Sequence, residues 1–114
     1  MKSKIKYLIF CFFFLFIIFS FNLNASADEN KITIYLFHGD GCPHCANEKK
    51  FLNEMLDKYE NIEIKYYEVW YNEENDKLMN MMKEKYNNTR KGVPFTIIGD
   101  YSYVGYNENI GYQI

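Results

Sequence analysis

The chain has 114 residues, enough for one domain. Its first three lysines meet no acidic residue before Asp28, so the part from residue 28 onward carries ten Lys/Arg against fifteen Asp/Glu, a net charge of −5. No basic face stands out, which argues against nucleic acid as a partner and fits a soluble acidic domain.

The first segment has to be set apart. Lys2, Lys4 and Lys6 precede an apolar run from Tyr7 to Phe21, and Ala25-Ser26-Ala27 supplies the small-residue pattern of a cleavage site. This is the pattern of a secretory signal peptide over residues 1–27. The run falls short of the roughly 20 apolar residues a membrane span needs, although an uncleaved anchor is the alternative. Either way residues 28–114 are expected outside the cytoplasm, secreted or held at the outer side of the membrane. Cys11 lies in this segment and would leave with it.

Lys31 to His38 reads as a strand whose two alternating sets, Ile32, Ile34, Leu36 and Thr33, Tyr35, Phe37, are both bulky. A strand apolar on both faces is a buried one. Gly39-Asp40-Gly41 breaks it, and Pro43 stands where a first helical residue would. A helix is predicted from His44 to about Tyr59, with Phe51, Leu52, Met55, Leu56 and Tyr59 inward and Glu48, Lys49, Lys50, Glu54 and Lys58 on the other face.

A second strand is predicted over Ile62 to Trp70, then a polar loop over Tyr71 to Asn75. A second helix follows from Asp76 to about Tyr86, with Leu78, Met79, Met82 and Tyr86 inward. After a loop, Val93-Pro94 leads into a strand over Phe95 to Ile98, a tight turn at Gly99-Asp100, and a strand over Tyr101 to Gly105. That spacing predicts an antiparallel hairpin. Asn107 is placed to cap a last helix, which the chain enters by only about one turn, so this helix is expected to be cut short. The first two strands, joined through a helix, should be parallel. The expectation is α/β: one mixed four-stranded sheet flanked by helices.

Beyond the leader only two cysteines remain, Cys42 and Cys45, three positions apart. A disulfide closing so small a loop removes little unfolded-state entropy, so chemistry explains the pair better than stapling. Cys42 stands at a helix entrance, where unpaired N–H groups and the helix dipole favour a thiolate, and His44 adds a donor and a possible positive charge. Cys42 is therefore the expected nucleophile, with Cys45, one turn further in, resolving the mixed disulfide. Zinc held with His38 and His44 is the weaker reading, because residues of one tight turn do not all point inward.

Cys42-Pro43-His44-Cys45, after a buried strand and at a helix start, resembles the active site of the thioredoxin-like superfamily, and its C-P-H-C sequence most resembles DsbA-type disulfide oxidases. Val93-Pro94-Phe95-Thr96 matches a second mark of that superfamily. The resemblance implies a cis bond before Pro94 and a backbone at Val93 that pairs with an extended substrate. It covers Lys31 to Ile114 and implies a thioredoxin-like fold close in size to a minimal thioredoxin or glutaredoxin. Two positions depart from it. Gly41 stands where relatives often carry an aromatic, and Leu36 stands where many carry a buried acid. The resemblance therefore assigns no carboxylate relay here, and His38 is the nearest substitute.

The implied function is an exported thiol–disulfide oxidoreductase, leaning to oxidase. Cys42, Cys45, His44 and Pro43 form its catalytic site, and Val93 and Pro94 its substrate groove. It implies no cofactor and no resident metal. Its partners would be cysteine-containing extracytoplasmic proteins and a membrane or thiol redox partner, met by a monomer. A non-enzymatic redox sensor or a metal-binding module on the same fold is the alternative.

Overall fold

The computed structural model describes residues 2–19 and 30–114. The cleavage pattern Ala25-Ser26-Ala27 and the proposed boundary at residue 27 lie outside these residues. The N-terminal segment forms helix α1 (Lys2–Phe19), and no described helix is long and apolar enough to cross a membrane.

The remaining elements are β1 (Ile32–His38), α2 (Pro43–Lys58), β2 (Ile62–Glu68), α3 (Glu73–Lys85), β3 (Phe95–Ile98), β4 (Tyr101–Val104) and α4 (Glu108–Gln113). They build one four-stranded sheet in the order β2-β1-β3-β4. As expected, β1 and β2 are parallel, in register Ile34↔Ile64, and β3 and β4 form the antiparallel hairpin. Strand β1 also pairs antiparallel with β3, setting Leu36 opposite Thr96 and Phe37 opposite Phe95.

Both alternating sets of β1 are used. Ile34 and Leu36 join Leu52 of α2, with Phe51, Met55, Ile62, Ile64, Ile98 and Ile114 packed around them. Phe37 joins Val69, Met79, Phe95, Ile97 and Val104 on the opposite face, under α3. The sheet is thus sandwiched between α2 and α4 on one side and α3 on the other. Helix α4 is capped by Asn107, whose Oδ1 accepts the Ile110 N–H at 3.0 Å, and the Phe51 and Tyr106 rings meet beneath it.

Three boundaries or faces differ from expectation. Strand β2 stops at Glu68 instead of Trp70, because the Glu68 carboxylate accepts the N–H groups of Trp70 and Tyr71 and bends the chain. Helix α3 begins at Glu73, inside the predicted loop, because the Asn72 side chain caps it by accepting the Asn75 N–H at 3.1 Å. Glu73, Glu74 and Asp76 then sit in a first turn whose dipole favours negative charge. Finally, the inner stripe of α2 is Cys45, Glu48 and Leu52, while Leu56 and Tyr59 are exposed. The cysteine pair anchors the helix start against the sheet, and the 3.6-residue period carries that anchor through Glu48 to Leu52.

This stripe separates two leucines that look alike in the sequence. Leu52→Ala should cost about 2–5 kcal/mol, as deletion of a fully buried side chain does. Leu56→Ala, at a position 39% exposed, should cost less than about 1 kcal/mol. Urea midpoints of the two variants check the difference, and equal losses would contradict the observed face.

Candidate active site

The parallel β1–β2 pair and the β1–β3 pair bring three connections to one end of the sheet. The chain leaves β1 through Gly39-Asp40-Gly41, leaves β2 through Val69-Trp70-Tyr71, and enters β3 through Gly92-Val93-Pro94. Gly41 takes φ +92°, a left-handed conformation that glycine adopts without a steric penalty. An aromatic residue before Cys42 would be strained in this turn, which accounts for the departure at that position. The Cys42 N–H donates to the Gly39 carbonyl at 3.1 Å and closes the turn.

Cys42 is the N-cap of α2, with Pro43 in its first turn. Its Sγ accepts the Cys45 N–H at 3.2 Å. The sulfur thus occupies the place of a capping oxygen, where helix dipole and N–H groups converge on it. Cys42 and Cys45 are joined in a disulfide, with Cα atoms 5.2 Å apart. Cys42 is 7% exposed and Cys45 1%, so the outer sulfur is the more accessible. Pro43 and His44 are exposed on the first turn. A shallow cleft of about 270 Å³ borders the pair, lined among others by Gly39, Asp40, Pro43, Ala46 and Lys49.

The Val93–Pro94 bond is cis. Pro94 is buried and Val93 half-buried, and the Pro94 carbonyl accepts the Gly105 N–H at 2.8 Å. Lys83 was not singled out by the sequence, yet it is buried and its Nζ donates to the Gly92 carbonyl at 2.9 Å, over the Phe95 ring. Burial lowers the Lys83 pKa, partly opposed by Asp76. This lysine ties α3 to the loop that presents Val93.

Glu68 ties the other two connections together. Its carboxylate accepts N–H groups from Asp40 at 3.0 Å, Trp70 at 3.1 Å and Tyr71 at 2.6 Å. Burial alone would raise its pKa, but these hydrogen bonds and nearby His38 outweigh that and hold it below the ordinary value. The Trp70 ring lies directly on Gly39, where a Cβ would come within 2.1 Å of it, and the indole is still 52% exposed. An aromatic wall therefore borders the cysteine turn from β2, not from the position before Cys42.

His38 is buried at the end of β1, edge-on to Tyr66. Its Nδ1 lies 3.8 Å from the Asp40 carboxylate, beyond hydrogen-bonding distance. Burial, and then Lys49, lower its pKa against the opposing pull of Asp40 and Glu68. Among the described residues no group of three His, Cys, Asp or Glu side chains is arranged to hold a metal ion.

The largest correction concerns Glu48, expected on the solvent face of its helix. It is 0% exposed, its Oε1 accepts the hydroxyl of Thr96 on β3, and its Oε2 is buried with no hydrogen-bond partner among the described residues. Burial pushes its pKa up to about 7, against the lowering effect of the Thr96 hydrogen bond. The only signal in the sequence was position: Glu48 follows Cys45 by three residues and precedes Leu52 by four, the spacing of one helix face.

A solved glutaredoxin from Archaeoglobus fulgidus superposes on this chain with a TM-score of 0.55 at 19% identity, covering 81% of this chain and 95% of that one. No protein-family model and no curated protein matches the sequence. The fold is thioredoxin-like, with the Cys42–Cys45 disulfide at the start of α2.

The buried acid makes stability depend on pH with a definite sign. Glu48 holds its proton in the folded state to about pH 7, whereas the unfolded chain releases it near its ordinary 4.5. The folded state thus binds more protons between those values, and stability falls as pH rises through that window, by on the order of 3 kcal/mol in all. The neutral isostere Glu48→Gln escapes the loss. It should match wild type in urea denaturation at pH 5 and exceed it at pH 8, whereas a constant difference at both pH values would count against the buried, protonated acid.

Proposed function

We propose that this protein is an exported thiol–disulfide oxidoreductase that exchanges disulfides with protein substrates, and that it works as an oxidase. The observation that carries the exchange chemistry is the disulfide at the start of α2, with Cys42 Sγ in the N-cap position accepting the Cys45 N–H. A sulfur so placed is stabilised as a thiolate, which makes Cys42 the nucleophile and a good leaving group. Cys45, almost fully buried behind it, resolves the mixed disulfide. Pro43 stiffens the turn between them, and His44, exposed on the same turn, adds a donor and a positive charge when protonated.

Val93 and Pro94 shape the substrate groove, with the Val93 backbone available to an extended segment. The Lys83 tether and the Glu68 staple hold the two flanking loops in place, which favours a preformed groove. The leaning to oxidase rests on stabilisation of the reduced thiolate, since whatever stabilises the dithiol makes the disulfide a stronger oxidant. Export rests on the lysine-rich start, the apolar run and Ala25-Ser26-Ala27.

Catalysed reduction of insulin disulfides, abolished by Cys42→Ser, is the first expected outcome. Cys45→Ser should instead trap substrate proteins as stable mixed disulfides on Cys42. Equilibration in glutathione buffers should give a potential closer to about −120 mV than to about −270 mV, the values of strong oxidants and of reductants respectively. A value at the lower end would reverse the direction while keeping the exchange chemistry. An N-terminus beginning at Asp28 in material recovered from outside the cytoplasm is expected, and an intact leader on cytoplasmic protein would overturn export.

A further inference from the structure

Cys45 has to lose a proton before it can attack and has to accept one after it leaves, yet it is 1% exposed. Bulk water does not reach that sulfur freely, so the proton needs a carrier within the protein. On the same inner stripe of α2, three residues further on, stands Glu48, also fully buried. Side chains at this spacing on a helix have Cβ atoms about 5–6 Å apart, within reach directly or through one water. One carboxyl oxygen is anchored by the Thr96 hydroxyl. The other, Oε2, is buried with no hydrogen-bond partner among the described residues. A buried carboxyl oxygen left without a partner is costly and calls for an explanation.

We propose that Glu48 is the proton carrier of Cys45, protonating its sulfur when the disulfide opens and deprotonating it when the disulfide re-forms. This rests on the reading of the pair as a thiol–disulfide exchanger. In the opening step a substrate thiolate attacks Cys42 Sγ, a new S–S bond forms there, and the Cys42–Cys45 bond breaks with its electron pair on Cys45. The Glu48 carboxyl transfers its proton to that thiolate and becomes a carboxylate. In the closing step the carboxylate takes the proton back, and Cys45 Sγ attacks Cys42 Sγ of the mixed disulfide. The substrate then leaves as a thiolate. Completed by a second substrate thiolate, the opening moves two electrons from a substrate dithiol to the Cys42–Cys45 disulfide. The closing, on a mixed disulfide formed from a substrate disulfide, moves two electrons from the Cys42–Cys45 dithiol to that substrate, and no further oxidant is involved.

The surroundings suit a group that changes protonation near neutrality. Burial sets the acid about midway between its two forms at pH 7 in the disulfide state, with Thr96 the hydrogen bond that pulls it back down. On β2, Tyr66 faces it, and Tyr106 faces it from the turn before α4. Both have pKa values raised first by burial and then by the charge of Glu48. Lys49, next on the helix, extends over the Tyr66 ring, and His38 at the end of β1 meets the edge of that ring.

The test separates the two chemical steps in the full chain. Reduced protein is mixed with oxidised glutathione, quenched in acid, and the glutathione adduct on Cys42 is followed by mass as it forms and resolves, from pH 5 to 10. Wild type should show a resolution rate that rises through a step near pH 7. In Glu48→Gln that step should vanish, with resolution at pH 7 slower by on the order of 100-fold, the usual worth of a positioned general base. The gap should close near about pH 9.5, where a thiol of ordinary pKa ionises unaided. Alkylation of Cys42 by iodoacetamide should stay unchanged, which a merely disturbed fold would not allow. Thr96→Val, which keeps the acid and removes its anchor, should move the step to higher pH. An unaltered pH profile in both variants would overturn the proposal while leaving the exchange activity standing, as would loss of the step in His38→Gln with its retention in Glu48→Gln. Failure of wild type to form or resolve any adduct would remove the oxidoreductase reading itself, and the proposal with it.

Discussion

Strand β1 is covered on both faces, and most of the molecule follows from that constraint. Ile34 and Leu36 must be met by a helix on one side, Tyr35 and Phe37 by a helix on the other. A strand so buried takes a neighbour on each edge, β2 in parallel and β3 in antiparallel. Its C-terminal end then has one exit, the glycine turn that delivers Cys42 to the start of α2. The same packing that sets Leu52 on Leu36 sets Cys45 against the sheet, so core and disulfide share one interface. The site cannot shift without moving the core.

Much of this was legible in the sequence because it is written in apolar residues and turn formers. The two bulky sets of β1, the hairpin around Gly99-Asp100, the helix start at Pro43 and the capping role of Asn107 each rest on a local rule that tertiary structure did not override. The cis bond before Pro94 came from resemblance alone and agrees with the structure. What escaped reading has a common physical cause. Glu48, Lys83 and Glu68 are charged, and charge pattern assigns such residues to solvent because isolated burial is costly. Each is instead held by a partner distant in sequence: Glu48 by Thr96, Lys83 by the Gly92 carbonyl, and Glu68 by the Asp40 N–H, beside those of its near neighbours Trp70 and Tyr71. Thr96, Gly92 and Asp40 all lie more than one helical turn away, so no local rule could find them. Of the expected inner face of α2, Phe51, Leu52 and Met55 do pack inward, and its overextension to Leu56 and Tyr59 has the same origin, since reading Glu48 as outward rotates the stripe toward them.

These three charged residues also divide the labour around the disulfide. Glu68 joins the loop after β1 to the loop after β2 and fixes the Trp70 ring on Gly39. Lys83 crosses from α3 to the loop before β3. Both use a side chain to satisfy backbone groups of irregular segments, which have no ladder of their own and which would otherwise rely on water. Such bonds carry a charge on one partner and are stronger than neutral ones. The three loops at this end of the sheet are therefore positioned by side chains anchored in regular structure. That arrangement lets short connections carry a reactive group with little loss of order.

Glu48 differs from the other two in being incompletely satisfied. Glu68 accepts three N–H groups and Lys83 reaches a carbonyl, but among the described residues Glu48 has one hydroxyl for two buried oxygens. In the folded state its ionisation is opposed by burial, so stability is given up at every pH where it is charged. A leucine there would continue the apolar stripe from Cys45 to Leu52 at no such cost. A protein gains nothing in packing from an acid in this place, and local conflict of that kind is expected where chemistry competes with folding. The conflict falls one helical turn from the almost fully buried Cys45 sulfur, and an acid poised between its two forms suits the proton transfer proposed for that sulfur.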